Sequence, residues 1–182
     1  MPLIITILSV SLILIFIALI LLTLSIVILF LVRVPYAPTP KRMIKKIIDE
    51  LDIKKGDIVY DLGCGDGRFL FAAETKGATA IGYELSPMVY YKALLTKILK
   101  KSKVKLRQKN FYKANISNAN IVFCFLVDTV MPRVAKKLKS ELKPGAKIVS
   151  YGFAFPDWEP DKVIIPALED KTSSKVFIYK IK

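Results

Sequence analysis

The sequence predicts an α/β domain with a mostly parallel sheet, preceded by one long apolar helix. Three observations lead to this prediction. Strand-like and helix-like segments alternate from residue 57 to residue 151, which is the pattern of βαβ units. A glycine-rich turn joins the first of these strands to its helix. The first 32 residues contain no charged side chain.

Leu3 to Val32 is an almost unbroken apolar run, interrupted only by five Ser and Thr residues. A bilayer core takes about 20 such residues, so this run is long enough to span it. The basic n-region and the small-residue cleavage site of a signal peptide are missing, and a buried core helix is the alternative. We expect residues 1–33 to form a transmembrane anchor and residues 34–182 to form one domain.

The charge distribution predicts which side of the membrane holds the domain. Every Lys and Arg lies at or beyond Arg33, and the net charge is +14. By the positive-inside rule, the protein is single-pass with its domain in the cytoplasm, or in a matrix if it is organellar. The basic residues that follow the apolar run are expected to attract anionic lipid headgroups, although many lysines only keep such a domain soluble.

The sequence contains no His and two Cys residues. The missing histidines exclude a Ser-His-Asp triad and the usual imidazole base. Two isolated cysteines make neither a disulfide framework nor a zinc site, so no metal is expected.

The glycine-rich turn, residues 61–68, has the sequence DLGCGDGR. A β-branched and aromatic strand precedes it, and a helix predicted from Phe69 to Glu74 follows it. Glycines let the backbone approach a ligand, and the helix start offers unpaired N–H groups. Asp66 is expected to cap this helix. A tight turn without a ligand is the alternative.

The glycines at positions 63, 65 and 67 alternate, which departs from the dinucleotide fingerprint G-x-G-x-x-G. The next strand, Thr79 to Glu84, ends in an acid that can accept two ribose hydroxyls. Ser86 is then predicted to cap a helix that begins with Pro87 and continues to about Lys101. The strings DLGCGDGR and GYELSP together resemble the first two motifs of class I S-adenosylmethionine-dependent methyltransferases. The resemblance implies a Rossmann-like, seven-stranded domain that binds S-adenosylmethionine. The cofactor-binding residues that it implies are Asp61, Gly63, Cys64, Gly65, Asp66, Gly67 and Glu84, with Asn110 and Phe111 at the adenine.

A proline-rich leader, YAPTP at residues 36–40, precedes the first strand. Thr39 is predicted to cap a helix that begins with Pro40 and continues to about Leu51. Together with the glycine-rich turn, the leader resembles the membrane-anchored lysine methyltransferases of adenine nucleotide translocase and the ATP synthase c-subunit, and their prokaryotic relatives. The resemblance implies that Tyr36 and Thr39 close over the cofactor, whereas a rigid linker with a helix cap is the alternative.

The second half of the domain offers further candidate residues. A continuous apolar strand, Asn120 to Val127, precedes Asp128 at the edge where α/β sheets bind ligands. Asp128 and Tyr36 are the candidates for orienting a substrate amine. An aromatic loop from Gly152 to Asp161 is expected to line a lysine channel or to pack as a hydrophobic lid. The chain then closes with a predicted antiparallel hairpin.

These features predict an S-adenosylmethionine-dependent protein-lysine N-methyltransferase that acts on a membrane-associated protein. A membrane-tethered methyltransferase of RNA or of a small molecule is one alternative, since a charge of +14 attracts nucleic acid. The sequence lacks the Asn/Asp-Pro-Pro-aromatic tetrapeptide of exocyclic-amine nucleic-acid methylases, which makes a nucleic-acid partner the weaker prediction. A non-catalytic cofactor-binding membrane module is the other alternative, and the intact glycine motif argues against it.

Overall fold

Within the residues that the computed structural model describes, which are 2–32, 37–167, 170 and 173–182, seven strands and five α-helices form. The helices are α1 (Pro2–Val32), α2 (Lys41–Leu51), α3 (Arg68–Glu74), α4 (Pro87–Leu99) and α5 (Met131–Glu141). The strands are β1 (Ile58–Leu62), β2 (Thr79–Glu84), β3 (Lys105–Gln108), β4 (Ile121–Cys124), β5 (Lys147–Tyr151), β6 (Lys162–Ile164) and β7 (Val176–Lys180).

The strands form one sheet in the order β3-β2-β1-β4-β5-β7-β6. Strands β1 to β5 pair in parallel, whereas β7 pairs antiparallel with both β5 and β6. The predicted α/β class and the closing hairpin are therefore confirmed, although β6 is shorter than expected. The short link between β3 and β4 holds only a 3₁₀ turn at Phe111–Lys113, as its length predicts.

Apolar clusters cover both faces of the sheet. Alternate residues of each central strand point to opposite faces, so Val122 and Ile148 pack with α5, and Val149 packs with α2 and α3. The predicted apolar face of α2 is confirmed. Its buried residues are Met43, Ile44, Ile47, Ile48 and Leu51. The helix that follows the leader is therefore an integral part of the domain core.

The predicted caps of α2 and α3 are wrong, whereas the predicted cap of α4 has the right position but makes no side-chain cap bond. Pro40 rather than Thr39 directly precedes α2, and no side chain caps that helix. Gly67 rather than Asp66 directly precedes α3, while Ser86 precedes α4 without a side-chain cap bond. These polar side chains lie at the functional site described below, so a local helix rule does not decide their orientation.

The predicted apolar helix is present as α1. Its stretch Ile4–Val27 has a mean hydropathy of 3.2, and by length and composition it is a candidate membrane span. Nearly all of its described side chains are exposed, but Ser25 is buried. The Ser25 Oγ atom accepts a hydrogen bond of 3.1 Å from the backbone N–H of Met88. The carboxyl-terminal part of α1 therefore packs against the start of α4.

Candidate active site

The glycine-rich turn is held tightly against β2. The backbone N–H groups of Gly63 and Cys64 both donate to the carbonyl of Tyr83, at 2.9 and 2.8 Å. Gly63 has a φ of +91°, in the left-handed region that favours glycine. A Cβ atom on Gly82 would lie 2.3 Å from Leu70 Cδ1, so the strand leaves no room for a side chain there. These close approaches fix the turn against the neighbouring strand.

A cleft lies at the carboxyl ends of β1 and β2, where α/β sheets bind their ligands. It is lined by nine of the predicted site residues, namely Thr39, Asp61, Gly63, Cys64, Gly65, Asp66, Glu84, Asn110 and Phe111. Gly67 does not line the cleft, and its φ of +79° shapes the turn into α3. Tyr36 lies outside the described residues.

The Glu84 carboxylate is fixed by the turn that it faces. Its Oε2 atom accepts the N–H of Gly65 at 3.0 Å, and its Oε1 atom accepts the N–H of Ser86 at 2.8 Å. Burial raises the pKa of Glu84, and these backbone hydrogen bonds partly oppose that effect. Each oxygen has a second lone pair, so the carboxylate can still accept hydrogen bonds from a ligand.

Asp61 is almost completely buried, and its Oδ1 atom has no hydrogen-bond partner among the described residues. Burial, together with the neighbouring carboxylates of Glu84 and Asp66, raises the pKa of Asp61 well above its ordinary value. An unpaired buried oxygen is costly unless a ligand satisfies it. The carboxylates of Asp61 and Glu84 at one end of the cleft therefore favour a ligand with a positive charge.

Arg68 connects the leader to the turn, and the sequence interpretation missed this role. Its Nη1 atom donates to the carbonyl of Thr39 at 2.8 Å, while Nε and Nη2 bind the two oxygens of Asp66 at 2.8 and 2.6 Å. Burial alone would raise the pKa of Asp66, but the guanidinium of Arg68 lowers it. The position of Arg68 at the end of an acidic, glycine-rich motif was the only signal for this role.

Ser86 is a second residue that the sequence did not assign to the site. Its side chain lines the cleft and is 1% exposed, and its Oγ atom has no partner among the described residues. It follows Glu84 by two residues, and its backbone N–H binds that carboxylate. The cap rule predicted its position in the chain but not its contact with the cleft.

Two other predicted features do not line the cleft. Asp128 follows β4 as expected, but it does not line the cleft, and it accepts the N–H of Thr129 at 2.7 Å. In the aromatic loop, Phe155 packs against Trp158 and Tyr179 with ring centroids 5.2 and 5.3 Å apart. Phe155 is 2% exposed, so this part of the loop packs as a hydrophobic lid on the sheet.

The residues present suit S-adenosylmethionine. Asp61, Asp66 and Glu84 would accept hydrogen bonds from its ribose hydroxyls and methionine ammonium, and would attract its positive charges. Asn110 and Phe111 offer a polar contact and an apolar surface for the adenine ring. The sheet order, the glycine-rich turn and the acid at the end of β2 define a class I S-adenosylmethionine-dependent methyltransferase.

Comparisons with known proteins narrow this class. Residues 61–162 match the family described as the ANTKMT methyltransferase domain. The chain belongs to this family, and it is an S-adenosylmethionine-dependent methyltransferase. The resemblance predicted from the leader and the glycine motif is thereby confirmed.

Individual relatives support the same assignment. A protein-lysine N-methyltransferase of Saccharolobus islandicus is 33% identical over 156 residues, covering 84% of this chain and 96% of that relative. The lysine N-methyltransferase of the ATP synthase c-subunit from Rattus norvegicus is 33% identical, covering 71% of this chain and 61% of that relative. An RNA methyltransferase from Salinibacter ruber, whose crystal structure contains S-adenosyl-L-homocysteine, has 32% sequence identity to this chain. The two structures superpose with a TM-score of 0.73, over 80% of this chain and 94% of the Salinibacter ruber chain.

Proposed function

We propose that this enzyme methylates the side-chain amine of a lysine in a membrane-associated protein. One observation carries the membrane part of the proposal: the cleft lies close to the carboxyl-terminal end of α1. This helix ends at Val32, and the leader residues 37–39 already line the cleft. Ser86 and Val89, which also line the cleft, flank the Met88 residue that binds Ser25 of α1.

The relatives support lysine as the target. The archaeal relative is named as a protein-lysine methyltransferase, and the chain spans nearly all of it. The rat relative is named for the c-subunit of ATP synthase, and the chain spans 61% of that enzyme's length. A protein lysine is the target that these two names have in common, and the position of the cleft favours a lysine near a membrane surface.

The chemistry requires a neutral lysine amine in line with the methyl group. When bound, S-adenosylmethionine supplies an activated methyl group on a sulfonium, so no protein nucleophile is needed. A free lysine has a pKa of about 10.4, and an apolar environment lowers it. Phe123, Phe125 and Leu126 line the cleft, and their apolar side chains would favour the neutral amine over the ammonium. Most of the rate is then expected from holding the amine in line.

Tyr36 and Asp128 remain our candidates for orienting the amine. Tyr36 belongs to the leader that Arg68 ties to the glycine-rich turn through Thr39, three residues further along. Asp128 follows β4 on the edge of the sheet that carries the cleft, and it would act from the rim on an incoming lysine. We place the domain on the cytoplasmic or matrix side of the membrane, where its basic residues meet anionic headgroups.

RNA is the second candidate substrate. The similar structure from Salinibacter ruber is titled an RNA methyltransferase, and a net charge of +14 attracts polyanions. Anchoring by α1 would keep the cleft near the bilayer and away from most RNA. The proposed lysine target therefore fits the position of the cleft better.

The test is methyl transfer by the full chain, reconstituted in vesicles and mixed with labelled cofactor and cellular membrane, soluble protein or RNA fractions. Mass spectrometry then locates the label. Glu84→Ala serves as the cofactor-deficient control. Glu159→Ala removes a glutamate at an exposed position far along the chain and serves as its matched variant. Label on lysines of membrane proteins supports the proposal. Label confined to RNA or small molecules overturns it, and label confined to soluble proteins overturns its membrane part.

A further inference from the structure

The outer face of α4 is apolar although it is exposed. It consists of Met88, Tyr91, Leu95, Ile98 and Leu99, which are between 50% and 75% exposed. Their spacing of three, four, three and one places them on one side of the helix. Lys92 is the only charged residue that shares this side within the helix.

This arrangement is the reverse of an ordinary surface helix, which exposes its polar side. The inner side of α4 already packs on the domain, since Ala93 is fully buried in a cluster with Leu70 and Leu106. The described part of the chain leaves the outer face uncovered. A contiguous apolar face of this kind marks a surface that meets another apolar phase.

The position of α4 relative to α1 indicates which phase this is. The start of α4 binds Ser25, which lies seven residues before the end of α1 at Val32. A helix rises about 1.5 Å per residue, so the 31 residues of α1 are longer than a hydrocarbon core of about 30 Å, which about 20 residues span. With the excess length shared between its two ends, α1 leaves the core within a few residues of Ser25, so Ser25 and the start of α4 lie near the boundary between acyl chains and headgroups.

Charge complementarity supports the same interpretation. Exposed lysines follow the outer face directly, at positions 100, 101, 103 and 105. Interfacial helices combine an apolar side with nearby Lys and Arg, and Tyr is favoured at the headgroup level. The outer face of α4 carries Tyr91 beside its aliphatic residues, and its end carries the cations.

We propose that α4 lies in the membrane–water interface with its outer face among the upper acyl chains. This inference rests on the proposed anchoring by α1 and adds a second membrane contact, in the folded domain itself. Two contacts restrict rotation about α1. Because Ser86 and Val89 line the cleft at the start of α4, the cleft would then have a fixed height and orientation at the bilayer.

Site-directed nitroxide labels in the full chain test this placement. Cys64 and Cys124 are both buried, so a label introduced at an exposed cysteine reacts selectively, which the unsubstituted chain verifies. The variants are Leu95→Cys and Ile98→Cys on the outer face, Ile13→Cys in the middle of α1, and Lys139→Cys on the exposed side of α5 as the control. Collision with dissolved oxygen, which favours lipid, is compared with collision with a water-soluble nickel chelate, in vesicles of phosphatidylcholine and phosphatidylglycerol.

We expect labels at 13, 95 and 98 to be oxygen-accessible and to lose nickel accessibility, whereas the label at 139 stays nickel-accessible. The inference would be overturned if the labels at 95 and 98 were as accessible to nickel as the label at 139 while the label at 13 was protected. The proposed anchoring by α1 would still hold in that case. Nickel accessibility at 13 would instead overturn the anchoring on which it rests. Spin–spin broadening between labels at 95 would identify a second copy of the chain, rather than lipid, as the occupant.

A second variant separates lipid contact from a change in local structure. Ile98→Glu adds a charge to the outer face at an exposed position, so the fold is retained. Combined with the label at 95, it should restore nickel accessibility there because the charge lifts α4 toward water. Lys139→Glu combined with the same label is the matched control and should leave the accessibility at 95 unchanged. An unchanged value in both variants would contradict the lipid contact.

Discussion

At the scale of single residues, two carboxylates at adjacent strand ends have different environments. Both oxygens of Glu84 accept backbone N–H groups, whereas Asp61 has a buried oxygen without a partner among the described residues. A carboxylate that is already oriented loses little entropy when a ligand binds. We therefore expect Glu84 to orient the cofactor, and we expect Asp61 to neutralise part of the cofactor's positive charge.

Removing the carboxylate of Glu84 should weaken cofactor binding. We expect Glu84→Ala to cost about 1.5–3 kcal/mol, or roughly 10- to 150-fold in affinity, through lost charge-assisted hydrogen bonds. Calorimetric titration with S-adenosylmethionine measures this change, and Glu159→Ala is the control. Equal affinities in the wild-type protein and Glu84→Ala would contradict the assignment of Glu84 to the cofactor site.

Asp61 should make the stability of the ligand-free protein depend on pH. Folding raises its pKa above the ordinary value of 3.8, so the folded chain binds the proton more tightly than the unfolded chain. This contribution is present at acid pH and is lost as the pH rises toward the folded pKa. Asp61→Asn cannot ionise, so its melting temperature relative to wild type should increase between about pH 4 and about pH 7.

The same variant should bind the cofactor poorly, because an amide lacks the charge that attracts a sulfonium and an ammonium. We expect a loss of about tenfold or more in affinity. Thermal melts across pH, without and with cofactor, measure both effects. A melting-temperature difference that does not vary with pH would show that Asp61 is not the group responsible.

Most of the site residues predicted from the sequence line the cleft, but Gly67 and Asp128 do not, and the predicted caps of α2 and α3 are wrong. Nine of the predicted site residues line the cleft because a strand–turn–helix motif fixes the geometry of most of them locally. Thr39 and Ser86 also look like helix caps in the sequence, yet neither makes a cap bond. Their side chains are drawn into a site whose other walls come from distant segments, which a local rule does not include.

At the scale of elements, the leader contributes residues 37–39 to the lining of the cleft. Thr39 is 5% exposed, lines the cleft, and is tied through its carbonyl to Arg68. The charge-assisted bonds of Arg68 to Asp66 hold this connection in place. A change in the leader should therefore affect function more than stability.

Thr39→Val tests this expectation because it keeps the volume and removes the hydroxyl. We expect a melting temperature close to wild type, since no cap bond is lost, and a reduction of about tenfold or more in methyl transfer. Tyr36→Phe is predicted to behave in the same way, and Thr39→Ser is the conservative control. Wild-type kinetics in both Thr39→Val and Tyr36→Phe would reduce the leader to a link between membrane and domain.

The prediction of helices from the sequence relied mainly on the periodic spacing of apolar residues. The spacing of apolar residues predicted α2 and its buried face because that helix packs on one side only. The Ser86-Pro87 pair predicted α4 as a helix, but the periodicity does not indicate its buried side, because its apolar residues lie on both sides. Periodicity shows that a residue is apolar, but whether protein or another phase covers it depends on the packing of the whole chain.

At the scale of the whole molecule, the cleft is built without α1. Every described residue that lines it lies at or beyond Ala37. A chain that begins at Arg33 should therefore bind S-adenosylmethionine with the affinity of the full chain. It should lose methyl transfer to membrane substrates, and it should self-associate without detergent because the outer face of α4 is exposed.

Calorimetry, light scattering and methyl transfer to intact membranes measure these three properties. The full chain with Ser25→Ala is the control, since it keeps α1 and loses only the hydrogen bond to Met88, at a cost of about 0.5–1.5 kcal/mol. Equal transfer rates to intact membranes by the shortened and the full chain would show that tethering is irrelevant to the reaction.

The contacts of α2 bear on when the domain can finish folding during its synthesis. This helix is made early, yet it packs with Val149 and Val176, and its Glu50 pairs with Lys162 at 2.7 Å. A growing chain places α1 and the glycine-rich turn outside the ribosome before β7 has been synthesised. Until β6 and β7 have been synthesised, α2 can pack against α3 but lacks its contacts with Val176 and Lys162. We therefore expect the domain to complete its fold only after these carboxyl-terminal strands have been made, long after α1 has left the ribosome.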